Sequence, residues 1–462
     1  MKNRIFSLLV LVALACACKG VRFMNPKDFD ASIDGAPVSL YTLRAGDISL
    51  QVTNFGARVV SLYTPDRSGR YCSIVVGHRT LQEYITPPGE RFFGACVGPV
   101  ANRIGGAGFD IDGVHYDTPA NDNEVNTLHG GYQGLDNVVW EVVSVCDSAI
   151  VFHYQRPDMD EGYPGNLDID MTYTLTSENV FRVSYSAVTD QTTPVNLSHH
   201  SFFCLRGEGT GSVEDYIMQI NASAYIPIDS LSIPTGEIAP VEGTPFDFRQ
   251  PHRIGERIGE DNLQLHNARG YDHNWCLDVP EACGSCEAVC PEAGSKVCRS
   301  GKACGSCEAV CPEAGSKVCR SGKACGSCEA VCPEAGSKVC RSGKACGSCE
   351  AVCPEAGSKV CRSGKACPRD GLFEACRVSD PVSGRYVEVW TDQPGMQFYS
   401  GNFFAGTEKG ANGRTLAFRS SLALETQKYP DSVNQPGFTP VLLHPGEEYT
   451  HICEYHFGVT AE

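Results

Sequence analysis

Apolar residues fall on alternate positions at Leu167, Ile169, Met171, Tyr173 and Leu175, and the period resumes at Phe181, Val183, Tyr185 and Ala187 after the polar run Thr176-Ser177-Glu178-Asn179. Successive side chains of a strand point to opposite faces, so the pattern predicts a hairpin with one buried face. Runs of the same kind predict strands over 48–52, 58–63, 138–145, 150–154, 386–391, 416–426 and 449–457. Long amphipathic helices are missing, and only 81–85 and 252–258 have room for a turn or two. Many short strands punctuated by 48 Gly and 27 Pro predict an all-β sandwich or barrel. A chain of 462 residues accommodates one large domain of that kind with extras.

One stretch departs from this pattern. The 21-residue unit ACGSCEAVCPEAGSKVCRSGK starts at Ala282, Ala303, Ala324 and Ala345 in four identical copies, which hold sixteen of the 26 cysteines. Besides Cys, each copy has only Val and Ala as apolar residues, too few to bury a core. Its four cysteines allow three disulfide pairings, while a zinc or iron–sulfur reading finds no His and an incomplete Cys spacing. The array at 282–365 therefore reads as an insertion in a tolerant loop of a domain formed by 33–281 and 366–462.

At the N-terminus Lys2 and Arg4 precede an apolar run over 5–15, followed by Cys16 and Cys18, the pattern of an export signal over 1–18. The run is short for a membrane span. Cleavage after small residues and lipoprotein-type processing, with a lipid on Cys16 or Cys18, both fit. Either predicts an exported chain, periplasmic or membrane-anchored in a bacterium, in an oxidising compartment where cysteines tend to pair. With 38 Lys and Arg against 55 Asp and Glu, the net charge of −17 repels nucleic acid and anionic membranes and suits a neutral small molecule better than a polyanion.

His199 and His200 stand side by side in a strand-like segment, so the pleat sends them to opposite faces and at most one serves a given site. Glu425 closes the apolar run Leu422-Ala423-Leu424, where burial would make it a proton acceptor near neutrality, and the polar turn from Lys428 to Asp431 predicts that it sits at the mouth of a sheet. Asn102 and Arg103 in tandem, His129 before two glycines, and Asp272 with a following His-Asn-Trp offer donors, an acceptor and an aromatic face suited to a polyhydroxylated ligand. No G-x-G-x-x-G, P-loop, H-E-x-x-H or G-x-S-x-G occurs, which removes the commonest nucleotide, metalloprotease and α/β-hydrolase readings. Nothing in the sequence asks for a metal.

Nine ordered motifs together resemble the aldose 1-epimerase family: NRI at Asn102, LHGG at Leu128, EGYPGNL at Glu161, NLSHHSFF at Asn196, IPTGEI at Ile233, GTPFDFR at Gly243, GYDHNW at Gly270, PGMQFYSGNF at Pro394 and LETQKYPDSVNQPGF at Leu424. The resemblance runs from about Ile33 to Phe457. It implies a large antiparallel β-sandwich with a sugar groove, no cofactor, and interconversion of α and β anomers of free aldohexoses such as glucose and galactose. It puts the base on Glu425, the acid on His200, and sugar binding on Asn102, Arg103, His129, Asp272 and Gln397. Pro99, His199 and Cys204 depart from the family pattern, which bears on substrate preference more than on activity. Two alternatives remain: a non-catalytic sugar-binding protein of the same fold, and a metal or redox module built by the cysteine array with the sandwich as carrier.

Overall fold

The alternation over Leu167–Leu175 and Val180–Thr189 builds a hairpin in register from Leu167 opposite Thr189 to Leu175 opposite Phe181. In the computed structural model, which describes residues 21–279, 307–310, 317–319 and 371–460, this hairpin forms the middle of a nine-stranded sheet. Its order is Glu141–Val145, Ala149–Arg156, Leu167–Leu175, Val180–Thr189, Tyr449–Val459, Arg385–Thr391, Phe373–Ser379, Ile217–Ile220 and His252–Arg253. A six-stranded sheet runs Phe202–Phe203, Leu422–Gln427, Gly395–Tyr399, Asp272–Leu277, Ala222–Ile226 and Ala239–Pro240. A four-stranded sheet joins Leu40–Ala45, Ile48–Thr53, Arg58–Pro65 and Tyr71–Ser73, and all pairings within these three sheets are antiparallel.

One hydrophobic cluster takes Met171, Tyr173, Phe181 and Tyr455 from the large sheet and Trp275, Met396, Phe398 and Leu424 from the six-stranded sheet. Burying such side chains stabilises by roughly 1.5–3 kcal/mol each, which makes this layer the main source of cohesion. The strands of the large sheet alternate buried and half-buried positions, whereas every residue of Asp272–Leu277, Gly395–Tyr399 and Leu422–Gln427 is buried. The six-stranded sheet is therefore covered on both faces along these three strands. One face is core, and the other forms the floor of the site.

The predicted strands appear with their ends shifted by a few residues, except over 416–426. There only Leu422–Gln427 is strand, because a turn closes from Ser420 N to Ala417 O with Arg419 at φ 54°. The helical window at 81–85 is an α-helix, Leu81–Ile85, capped by the Thr80 hydroxyl, while 252–258 holds a short strand and a 3-10 turn, Ile254–Glu256. Leu263–Ala268 is a helix too short for its period to register in the sequence.

Two units result, Met1–Val279 with Asp370–Glu462, and Pro280–Arg369. Within the second, Cys307–Val310 pairs antiparallel with Lys317–Cys319. The rest of the array and the predicted export signal lie outside the described residues. The expectation of paired cysteines fails in the sandwich, where Cys72, Cys96, Cys146, Cys204, Cys276, Cys376 and Cys453 are all free. Five of the seven are buried in the packing, where a thiol serves as a small apolar side chain.

A buried charge cluster shapes one wall of the site. Asp136 bonds Arg58 (3.1 Å) and Arg91 (2.8 Å), and Arg58 also donates to the carbonyls of Arg91 and Phe93. Arg58 and Asp136 are fully buried. Asp136→Ala leaves a guanidinium without its counter-charge and is expected to lower unfolding stability by ~3–5 kcal/mol in chemical denaturation. A loss under about 1 kcal/mol, the worth of an exposed pair, would contradict this account of the wall.

Candidate active site

The register of three strands sets Asn274, Gln397 and Glu425 side by side, and Asp272, two residues before Asn274, shares their face. Gln397 Nε2 donates to Asp272 Oδ1 at 2.7 Å, which fixes both side chains. Glu425 lies inside its strand and is 2 % exposed, not at a sheet mouth as the polar turn after it suggests, because the sheet face itself is the floor. Ser198–His200 pairs with Ala95–Val97 above that floor. The pleat divides the two histidines as expected. His199 turns into the core, bonding Ser201 Oγ and Tyr173, and His200 turns to the site, with Nε2 3.4 Å from Glu425 Oε1.

Asn102 (φ 61°) and His129 (φ 51°) both take left-handed backbone, a costly conformation outside glycine, and they hold each other there. His129 N donates to Asn102 O, and Asn102 N donates to His129 Nδ1 at 3.1 Å. An Nδ1 that accepts leaves the ring proton on Nε2, so His129 offers a donor. Arg103 is oriented by Asp122 at 2.8 Å, and the loop it starts is fastened by Gly105 N donating to Asp431 Oδ1. The His129 ring stands 5.1 Å from that of His200 and 4.6 Å from Phe92.

These residues line a cavity of ≈ 110 Å³ that also takes in Glu90, Phe92, Phe202, Tyr399 and Phe403. Sequence reasoning singled out Asn102, Arg103, His129, His200, Asp272 and Glu425, all of which reach the cavity, while Gln397 acts from beside it through Asp272. Glu90 and Phe92 were missed because they sit in an irregular segment with no periodicity. A larger cavity, ≈ 620 Å³, lies between the segment after Arg22 and the loop at Arg414. Of its two acids, Asp28 and Glu208, the buried Glu208 is already engaged by the backbone N–H groups of Gly77, Ala411 and Asn412, so size alone points away from the chemistry.

Burial drives the central pair apart. The Glu425 carboxyl is held well above the ordinary carboxylate range by desolvation, with Asp272 and Glu90 adding repulsion and Arg103 opposing it. Desolvation lowers the His200 imidazole to about 4. Asp272 is raised by burial, against the pull of Arg103 and Gln397. His129 is pushed down by burial and by neighbouring His200, Arg103 and Arg91. Burial thus favours the uncharged form of both groups. Donor atoms of His129, His200 and Glu425 lie within 4.8 Å of one another, close enough to hold a metal ion. The His129 tautomer weighs against that use, since its Nδ1 lone pair is taken and its Nε2 carries hydrogen.

His199 and Cys204, two of the departures from the family pattern, are buried in the core, so they do not touch a ligand in this cavity. The third, Pro99, accepts from Asn196 N through its carbonyl and braces the segment leading to the histidines.

The aldose 1-epimerase family pattern matches residues 39–299 and 368–456. Rat galactose mutarotase is 35% identical over 92% of the chain and 95% of that protein. The aldose 1-epimerase of Escherichia coli is 28% identical, covering 92% of the chain and 96% of its own length. Among solved structures, an aldose epimerase homologue from C. elegans superposes with a TM-score of 0.66 at 21% identity, covering 92% of this chain and all of its own. A galactose 1-epimerase from Lactobacillus acidophilus gives 0.65 at 22% identity, covering 94% of this chain and 98% of its own.

Proposed function

The chain belongs to the aldose 1-epimerase family and is an isomerase that interconverts the anomers of aldoses, and we propose that Glu425 and His200 carry its two proton transfers. The observation that supports this allocation is the 3.4 Å approach of a buried carboxyl group and a buried imidazole on the floor of a cavity edged by hydrogen-bonding groups. Opening the ring requires a base for the proton of the anomeric hydroxyl and an acid for the ring oxygen. Reclosure on the other face of the carbonyl reverses both roles. No net proton leaves the site, so one carboxylate and one imidazole sharing a single proton are sufficient. The reactive arrangement, carboxylate with imidazolium, is a tautomer of the neutral pair favoured by burial. Sugar hydroxyls, His129 and Arg103 supply the hydrogen bonds that stabilise it.

Asp272, held by Gln397, accepts from hydroxyls away from the anomeric carbon and fixes the pose, with Asn102 keeping His129 in its donor tautomer. Free glucose and galactose are the substrates of this reading. The apolar N-terminal run supports export, with Cys16 or Cys18 as the point of a lipid anchor. The identical copies at 282–365, poor in apolar residues, support an insertion that the sandwich does not need.

An NMR exchange experiment on the purified chain is expected to show catalysed anomer exchange for glucose and galactose. The same experiment after deletion of 282–365 is expected to give a rate within about threefold of the full chain, as for a change remote from the chemistry. No catalysed exchange with any neutral aldose would overturn the reading, and loss of soluble protein on deletion would overturn the insertion.

A further inference from the structure

Behind the catalytic carboxylate, the floor of the site continues as a buried polar strip. Gln427 follows Glu425 by two residues on the same strand and shares its face. In the next row of the sheet Gln427 pairs with Gly395, and Gly395 with Cys276. Gly395 leaves space that the Asn274 carboxamide occupies, since a Cβ there would come within 2.8 Å of both Asn274 Nδ2 and Oδ1, and 2.9 Å from the Tyr429 ring. The amides of Asn274 and Gln427 thus lie over the same patch of sheet.

Five polar atoms on four residues of this strip find no partner among the described residues: Glu425 Oε2, Gln397 Oε1, Asn274 Oδ1, and both Oε1 and Nε2 of Gln427. Gln427 is completely buried, and Asn274, Gln397 and Glu425 are 2–3 % exposed. Buried polar groups left unpaired are costly and rare, so five in one contiguous row call for something that bonds them. The set is mostly acceptors with one amide donor, which water can satisfy in both senses. Ile226, Cys276 and Phe438, with Tyr429 against Phe438, form an apolar wall at the far end.

We propose that this strip holds ordered water running from Glu425 past Gln397 and Asn274 to Gln427, and that Asn274 and Gln427 are positioning residues acting through it on Glu425 Oε2, the oxygen turned away from His200. The proposal rests on Glu425 being the base. Around that carboxyl stand the acids Asp272 and Glu90 and the opposing cation Arg103, with His200 and His129 across the cavity and the Tyr455 phenol nearby. Tyr429 and Cys276 close the Gln427 end. Desolvation, with Asp272 and Glu90 beside it, raises the Glu425 carboxyl and disfavours its charged form. Hydrogen bonds delivered through the strip favour its charged form.

The test is the pH dependence of anomer exchange by full-length wild type, Gln427→Leu, Asn274→Leu and Glu425→Gln, with a crystal structure of the wild type at a resolution that places water. Gln427→Leu and Asn274→Leu are each expected to lower kcat about tenfold with little change in KM and to move the alkaline limb up by about one pH unit, the same free energy read twice. A merely structural role would lower the rate without moving that limb. Water density bonded to Glu425 Oε2 and Gln427 is expected in the wild type, and this decides the matter if a variant fails to fold. A dry strip, or a wild-type pH profile in Gln427→Leu beside an inactive Glu425→Gln, overturns the proposal alone. An active Glu425→Gln overturns the assignment of the base, and the proposal with it.

Discussion

Glu425→Gln is expected to lower kcat for glucose anomerisation by ~10²–10⁴, the usual worth of a positioned proton acceptor, while leaving the fold at least as stable. The two halves of this result have one cause. A carboxyl whose pKa is higher in the folded chain than in the unfolded one binds its proton more tightly when folded. Its stabilising contribution is full below the ordinary value of 4.5 and is lost as pH rises through the raised folded value. Above 4.5 the unfolded chain gains from ionising this carboxyl while burial holds it back in the fold, and glutamine keeps the shape with no such gain on unfolding. The melting temperature of Glu425→Gln should therefore equal or exceed that of the wild type, with the gap widening as pH rises. A less stable, equally active variant would contradict both the burial argument and the assigned role.

His200→Asn is expected to cost a similar ~10²–10⁴ in kcat, because an amide cannot give a proton to the ring oxygen. His129, although its ring is only 5.1 Å away, cannot take over, since its Nδ1 is committed to Asn102 N and its own pKa is pushed far down. The wild-type rate should fall on both sides of a plateau, below as His200, lowered to about 4, takes a second proton, and above as the pair loses its only one. His200→Asn should lose the acid limb. Polarimetry across pH checks both, and a His200→Asn variant with a bell-shaped profile near the wild-type rate would show that another group is the acid.

Taken singly, the site residues have bland readings in the sequence, and it is their place in an ordered set of motifs that makes much of the site legible. The pleat rule alone divides the paired histidines, and His199 is found in the core and His200 in the cavity. The hairpin at Leu167–Leu175 and Val180–Thr189 was equally open, since a sheet with one covered face writes a period of two. The six-stranded sheet is covered on both faces along its three fully buried strands, so these write no alternation, and Glu425 looked like a strand-end charge instead of a group set into the floor. Glu90 and Phe92 owe their places to the Arg58–Asp136–Arg91 cluster, a long-range contact that no local pattern encodes. The cysteines misled in the sandwich because the compartment argument says when thiols can pair, not whether the fold brings them together.

The central claim is that Glu425 and His200 act on one sugar in one coupled proton exchange. Its most direct test is the rate of anomer exchange in the double variant Glu425→Gln/His200→Asn compared with the two single variants. Groups that work as a unit are non-additive, so the double variant should lose no more than the worse single variant, within about threefold. Losses that multiply would mean that the two residues serve separate steps and would contradict the account.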